Sequence, residues 1–294
     1  MKVLVTGAWG QLGSDVMQEL ERQGLDAAGV DIGEMDITDA AAVDAVLAAS
    51  GADAVIHCAA YTAVDAAEEN EELCRSVNRD GTQNIASACR KLGMKLLYLS
   101  TDYVFDGTGE RPWEPEDERN PLNVYGRTKY EGELAVQSTL KEFFIVRISW
   151  VFGLHGKNFV RTMLNLAEKQ DGLKVVDDQF GSPTYTRDLA VLLVRMVQTE
   201  EYGVYHAANE GICSWYEFAC EIFRQAGKQV RVEPVASEAF PTKAKRPHNS
   251  RMSRERLDER GFQRLPEWKD ALGRYLEELR EERLDAALPG GNKI

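Results

Sequence analysis

The chain has 294 residues, 44% apolar and 28% charged, proportions that suit a folded protein with a sizeable core and exclude a disordered, collagenous or coiled-coil chain. Its 35 Lys and Arg against 48 Asp and Glu leave a net charge of −13, a sign that repels phosphate backbones and argues against nucleic acid as a partner. No window approaches the roughly 18 consecutive apolar residues of a membrane span.

The first half alternates short apolar runs with amphipathic stretches. Lys2 to Thr6 predicts a strand, Gln11 to Gln23 a helix, Asp26 to Asp31 a strand, Ala40 to Ala49 a helix and Ala54 to Cys58 a strand. Glu72 to Leu92 repeats apolar positions at helical spacing. Then Lys95 to Ser100 reads as a strand, Val124 to Thr139 as a helix and Phe143 to Ile148 as a strand. This is the pattern of a Rossmann-type doubly wound parallel sheet, whose strands are continuous apolar runs because helices cover both faces. Between Phe105 and Asn123 a loop rich in Gly, Pro and acid interrupts the pattern, long enough to suggest a lid.

After Val151 the chain is less regular. Helices are expected near Asn158 to Lys169, Thr186 to Thr199, Trp215 to Ala226, Ser253 to Arg260 and Trp268 to Arg283. The expected organisation is a dinucleotide-binding domain over 1–155, to which 185–205 returns, a smaller α+β substrate domain over 156–286, and a frayed tail at 287–294. Met1 to Gly7 reads directly as a buried strand with no basic leader, which predicts a cytoplasmic protein. The five cysteines form no Cys-x-x-Cys pair and the four histidines show no i, i+4 pairing, so the sequence supports neither a disulfide framework nor a metal site.

Thr6-Gly7-Ala8-Trp9-Gly10-Gln11-Leu12-Gly13 follows the first strand and opens a helix. Glycines there permit a tight turn, let a phosphate approach the backbone and allow close helix packing, while the helix start offers free N–H groups to an anion. The spacing is Gly-x-x-Gly-x-x-Gly; a plain strand-to-helix turn is the competing reading. The second strand ends at Asp31, whose carboxylate suits an adenosine ribose and discourages a 2′-phosphate. Asp36 reads as an adenine contact or as part of a capping region, with Thr38 or Asp39 as the cap.

Tyr125 and Lys129 stand four apart, on one helix face. Carbonyl reduction needs such a pair, because hydride arriving at carbon leaves an alkoxide that must be protonated. An adjacent ammonium brings a phenol, which titrates near 10, closer to neutrality. Ser100-Thr101-Asp102-Tyr103 ends the fourth strand, where a hydroxyl can hydrogen-bond the same oxygen.

Gly7/Gly10/Gly13, His57-Cys58-Ala59-Ala60, Ser100-Thr101 and Tyr125 with Lys129 resemble the extended short-chain dehydrogenase/reductases. Tyr61 to Glu68, Ser100 to Gly107, Pro121 to Gly126, Trp150-Val151-Phe152, Asp178 to Thr184 and Arg246 to Ser250 narrow the resemblance to nucleotide-sugar reductases of that family, over nearly all of residues 1–283.

The resemblance implies reduction of the C4 keto group of dTDP-4-dehydro-L-rhamnose to dTDP-L-rhamnose with NADPH or NADH. Tyr125 would be the proton donor, Thr101 the polarising hydroxyl and Lys129 the tuning and ribose-binding group. Gly7, Gly10, Gln11, Leu12 and Gly13 would line the pyrophosphate, Asp31, Asp36 and Ile37 the adenosine, and Ala59, Ala60, Tyr61, Thr62 and Leu99 the inner cofactor. Thr101, Asp102, Tyr103 and Trp150 would touch the sugar, with Val64, Asn158, Gln179 and Arg246 as further substrate candidates. Trp150 also reads as a core indole, and Arg246 as part of a solvated basic island.

Some members hold Mg²⁺ with acids near the C-terminus at a dimer contact. Glu277, Glu278, Glu281 and Glu282 give no firm match to that pattern, which leaves Mg²⁺ open but unsupported by the sequence, and leaves monomer and homodimer open. An epimerase or dehydratase of the same fold would keep NAD⁺ bound, and a regulatory subunit would have lost catalysis. Tyr103 after Asp102, where a dehydratase wants a second acid, favours simple reduction, as do intact Thr101, Tyr125 and Lys129.

Overall fold

The computed structural model describes residues 1–287, with side chains as far as Glu282. Six parallel strands, β1 (Lys2–Thr6), β2 (Asp26–Val30), β3 (Ala54–His57), β4 (Lys95–Thr101), β5 (Phe143–Ile148) and β6 (Gly203–His206), form one sheet. Their order is β2-β1-β3-β4-β5-β6. The winding reverses beside β1, and in such sheets ligands lie outside the carboxyl ends of the strands at that switch.

Helices α1 (Gln11–Arg22), α2 (Ala40–Ser50), α3 (Thr82–Leu92) and α4 (Val124–Thr139) follow the strands, with α5 (Phe159–Ala167), α6 (Thr186–Val197), α7 (Trp215–Ala226) and α8 (Trp268–Ala287) in the second half. Side chains alternate across the pleat, so Val3, Val5, Leu97, Phe144 and Val146 pack on one face against Leu12, Val16 and Leu20 of α1 and Leu189, Leu193 and Met196 of α6. On the other face Leu4, Val55, Leu96 and Ile145 meet Val43 and Leu47 of α2, Ile85 and Cys89 of α3 and Val136 of α4. A third apolar cluster, including Phe152, Tyr185, Phe218, Trp268 and Tyr275, fills the second half.

Three features depart from expectation. The helix expected over 72–92 is continuous but not uniform: Glu71–Arg75 and α3 are α-helical, and Ser76–Gly81 between them is widened into a π turn. Gly203–His206, a strand without its own apolar signature, pairs in parallel with β5 and extends the sheet. Gly172–Val176 and Arg231–Val235 form a separate parallel pair, to which the first of these contributes only one buried residue. From residue 288 the expected tail lies outside the described residues. No helix among them is long and apolar enough to cross a membrane.

Candidate active site

The carboxyl ends of β1 to β5 open into one cleft of about 820 Å³. At one end lies the glycine loop. Gly7 has φ +64°, and a Cβ there would press on the Ala59 nitrogen at 2.8 Å. Gly13 is pressed against the Gly7 carbonyl and packs α1 onto the loop, standing just behind the cleft wall. The start of α1 at Gly10 has no side-chain cap, so its N–H groups face the cleft free to take an anion.

Beside it the Asp31 carboxylate accepts from the Trp9 N–H at 3.3 Å and the Ile32 N–H at 2.8 Å, which fixes its orientation. Asp36 lines the same end and accepts from the Thr38 N–H (2.9 Å) and hydroxyl (2.8 Å), while Asp39 is the cap of α2.

The middle of the cleft is formed by Ile37, Ala59, Ala60, Tyr61, Thr62 and Leu99. Asn78, buried in the π turn, holds this loop: its Oδ1 accepts from Tyr61 N–H at 2.8 Å and its Nδ2 donates to the Tyr61 carbonyl at 3.1 Å and to Thr128 Oγ1 at 3.2 Å. The extra residue of the π turn is what aims Asn78 inward, and helical periodicity carries no mark of it.

At the far end Thr101, Asp102, Tyr103, Tyr125, Lys129 and Trp150 converge. Asn123 Oδ1 caps α4 by accepting from the Gly126 N–H at 2.8 Å, which sets Tyr125 and Lys129 on its inner face. Thr101 Oγ1 donates to Asp102 Oδ1 at 3.0 Å. Burial pushes the Asp102 carboxyl up to about 6.

Burial also raises the Tyr125 phenol well above 10, opposed by the Thr101 hydroxyl, so at neutral pH the phenol carries its proton. Burial brings the Lys129 ammonium down to about 7, against the pull of Glu133. Lys129 Nζ lies 4.1 Å from the centre of the Tyr98 ring.

Trp150 has φ +49°, the one positive φ outside glycine among the described residues. Such strain persists only when neighbours over-determine it. The indole stacks on Trp215 with ring centroids 3.6 Å apart, and Gly181 gives it room, since a Cβ there would come within 2.8 Å of Cε2. The bland reading of Trp150 as core is therefore incomplete: it packs on the second half and lines the cleft.

Arg246 reaches the cleft from the second half, donating to Asp65 Oδ2 at 2.7 Å and to the Tyr103 hydroxyl at 3.2 Å. Val64 lines the same mouth. Two substrate candidates stand outside the lining: Asn158 caps α5 and donates to Gln11 Oε1 at 3.0 Å, and Gln179 donates to Ser237 Oγ at 2.9 Å. Ser149, Lys157 and Trp215 line the cleft without having been singled out, because each comes from a stretch with no local motif.

Two of the C-terminal acids have partners within the chain. Glu278 pairs with Arg187 at 2.8 Å and accepts from the Tyr185 hydroxyl, and Glu282 pairs with Arg161. Among the described residues no three His, Cys, Asp or Glu side chains gather as metal ligands.

Residues 1–281 match the family model described as RmlD substrate binding domain. A dTDP-4-dehydrorhamnose reductase from Mycobacterium tuberculosis is 42% identical over 282 residues, 94% of this chain and 92% of that protein. Among solved structures, a dTDP-4-dehydrorhamnose reductase from Clostridium acetobutylicum superposes with TM-score 0.93 at 42% identity, covering 95% of this chain and 100% of that one. The Bacillus anthracis reductase in complex with NADP gives TM-score 0.92 at 41% identity, over 94% and 99% of the two chains.

Proposed function

The chain belongs to the RmlD substrate binding domain family, and from that premise we propose that it reduces the C4 keto group of dTDP-4-dehydro-L-rhamnose to dTDP-L-rhamnose, with NADPH or NADH as hydride donor and Tyr125 as proton donor. The observation that carries this reading is the convergence of Thr101, Tyr125 and Lys129 at one end of a cleft whose other end offers a glycine loop and an uncapped helix start.

When bound along that cleft, a reduced nicotinamide would supply the hydride for C4. The chain supplies the rest. The uncapped start of α1 and the loop at Gly10 would take the pyrophosphate, Asp31 the adenosine ribose, and Lys129 the nicotinamide ribose. Thr101 would hydrogen-bond the C4 oxygen and Tyr125 would give up its proton to that oxygen as negative charge develops there. Burial keeps Tyr125 protonated at rest, so the proton is present when the oxygen needs it. A nucleotide diphosphate needs local positive charge in a chain of net −13. Arg246 at the cleft mouth offers a guanidinium fork for it.

The test is turnover of dTDP-4-dehydro-L-rhamnose with added NADPH or NADH, followed by loss of reduced nicotinamide. Tyr125→Phe should lower kcat by about 10²–10⁴ while leaving cofactor affinity in place. Full activity in Tyr125→Phe would remove it as proton donor. Turnover of a dTDP-sugar without added reduced nicotinamide, with cofactor that stays bound through purification, would favour an epimerase or dehydratase instead.

A further inference from the structure

Behind Thr101 and Lys129 lies an ion pair that the reaction as described does not use. Glu133 is fully buried and Arg147 is 1% exposed. They meet fork to fork, Arg147 Nε to Glu133 Oε1 and Nη2 to Oε2, both at 2.8 Å. Ser100 adds a third bond, donating Oγ to Glu133 Oε1 at 2.5 Å. A buried pair of this kind is weak evidence for stability, because desolvating two charges offsets most of their attraction. Its location points to another use.

Ser100 immediately precedes Thr101 on β4, and Glu133 is four residues beyond Lys129 on α4, on the same helix face. The remaining Arg147 nitrogen, Nη1, donates to the Pro115 carbonyl at 3.0 Å, lies 3.2 Å from His206 Nε2, and the guanidinium sits 5.0 Å over the Phe105 ring. One carboxylate thus joins the strand that ends in Thr101, the helix that bears Tyr125 and Lys129 and, through Arg147, the loop over 105–123.

We propose that Glu133 is a positioning residue for the reduction: held by Arg147 and Ser100, its carboxylate fixes Thr101 relative to Lys129 and supplies the negative field that keeps the buried Lys129 ammonium charged. The part concerning turnover rests on the reductase reading above. The groups facing Lys129 leave Glu133 this role. Burial drives its ammonium down to about 7, and the opposing influences are Glu133 first, then the Cys58 and Cys74 thiols, both raised by burial and so uncharged at neutral pH. From β3, His57 is held neutral by burial, at about 3, and from β4 Lys129 meets the uncharged face of Tyr98. Around Glu133 itself stand Arg147, the Ser100 hydroxyl and the Tyr98 phenol, with His206, neutral by burial, beyond Arg147.

A lysine is charged below its pKa, and removing the carboxylate lowers that pKa further. The decline of activity and of cofactor affinity with rising pH therefore moves to lower pH. The experiment uses the full chain and two readouts: NADH affinity by fluorescence titration and kcat/KM, both as functions of pH. Glu133→Gln should move the basic limb of both down by about one pH unit and weaken NADH binding about tenfold above the limb, the scale of one close carboxylate. Glu133→Asp should restore most of the shift.

Because Glu133→Gln leaves Arg147 unpaired and can fail to fold, the double variant Glu133→Gln/Arg147→Met removes both charges and should melt close to wild type. It should keep the shifted limb. Profiles of a folded Glu133→Gln or double variant that superpose on wild type would overturn the proposal. A wild type that binds NADH but reduces no dTDP-4-keto sugar would overturn the functional reading instead, with the binding limb still deciding the role of Glu133.

Discussion

Asp102 stands 3% exposed at the end of β4, with one oxygen bonded to Thr101 and the other, Oδ2, without a hydrogen-bond partner. Burial raises its carboxyl to about 6, against the pull of the Ser250 and Thr101 hydroxyls. A carboxyl raised on folding stabilises the fold below its unfolded pKa, near 4, and that contribution is lost as pH rises through 6. At neutral pH the native protein therefore holds a charge that burial disfavours, as expected where a polar group is kept for a ligand rather than for the fold. Asp102→Asn should be more stable than wild type by about 2 kcal/mol at pH 7.5, with the gap shrinking as pH falls to 4.5. Urea unfolding at the two pH values measures this. A variant no more stable than wild type at pH 7.5 would mean that Oδ2 is better solvated than its surroundings indicate.

At the scale of elements, α4 and β5 have the bounds the sequence pattern predicts, Val124–Thr139 and Phe143–Ile148, because their apolar spacing, the Asn123 cap and the intervening break are all local signals. Thr101, Tyr125 and Lys129 were legible for the same reason, as each sits in a short motif on such an element. The π widening at Ser76–Gly81 was not, since one extra residue in a turn leaves helical spacing nearly intact, yet it aims Asn78 at the Tyr61 loop. Lys157 and Trp215 enter the cleft from the second half, where pairing between distant segments, such as Val151–Phe152 with Thr184–Tyr185, decides position.

Gly132 shows which of the two kinds of force governs α4. In an exposed helix Gly→Ala gains about 1 kcal/mol from propensity. Here a Cβ would collide with the Tyr98 hydroxyl and reach 2.7 Å from the Asn78 carbonyl, both buried against the helix. Gly132→Ala is therefore expected to destabilise by about 1–3 kcal/mol and to raise the KM for cofactor by displacing the π turn. Denaturant unfolding with cofactor kinetics checks both, and a stabilised variant would show that α4 and the turn can move apart.

Over the whole molecule, the two halves meet at the mouth of the cleft through charge. Segment 243–246 of the second half lies on the Val64–Ala67 turn of the first: Lys243 pairs with Glu69, the Ala244 N–H donates to Asp65 Oδ1 at 3.1 Å, and Arg246 pairs with Asp65 Oδ2. Asn123, the cap of α4, donates to the Lys245 carbonyl at 2.8 Å, so the segment is tied to α4 as well. The cleft lining carries three cations, Lys129, Lys157 and Arg246, in a chain of net −13.

A doubly charged nucleotide diphosphate approaching this molecule is repelled at long range and attracted only locally, so nearly all its electrostatic gain comes from those few side chains. Asp65 already holds Arg246, and a phosphate must share or displace that partner. Arg246→Met should then raise the KM for the dTDP-sugar by about tenfold to a hundredfold, the loss of one charge-assisted fork. It should leave the KM for NADPH or NADH within about twofold, because in the proposed binding mode the pyrophosphate of the cofactor would sit at the opposite end, at Gly10 and α1. The dependence of substrate KM on salt should also flatten in the variant, since the screened attraction is the one removed. Steady-state kinetics at two ionic strengths separates the possibilities: a rise in both KM values would make Arg246 a brace between the halves, and a rise confined to the sugar makes it the anion-binding group of the substrate site.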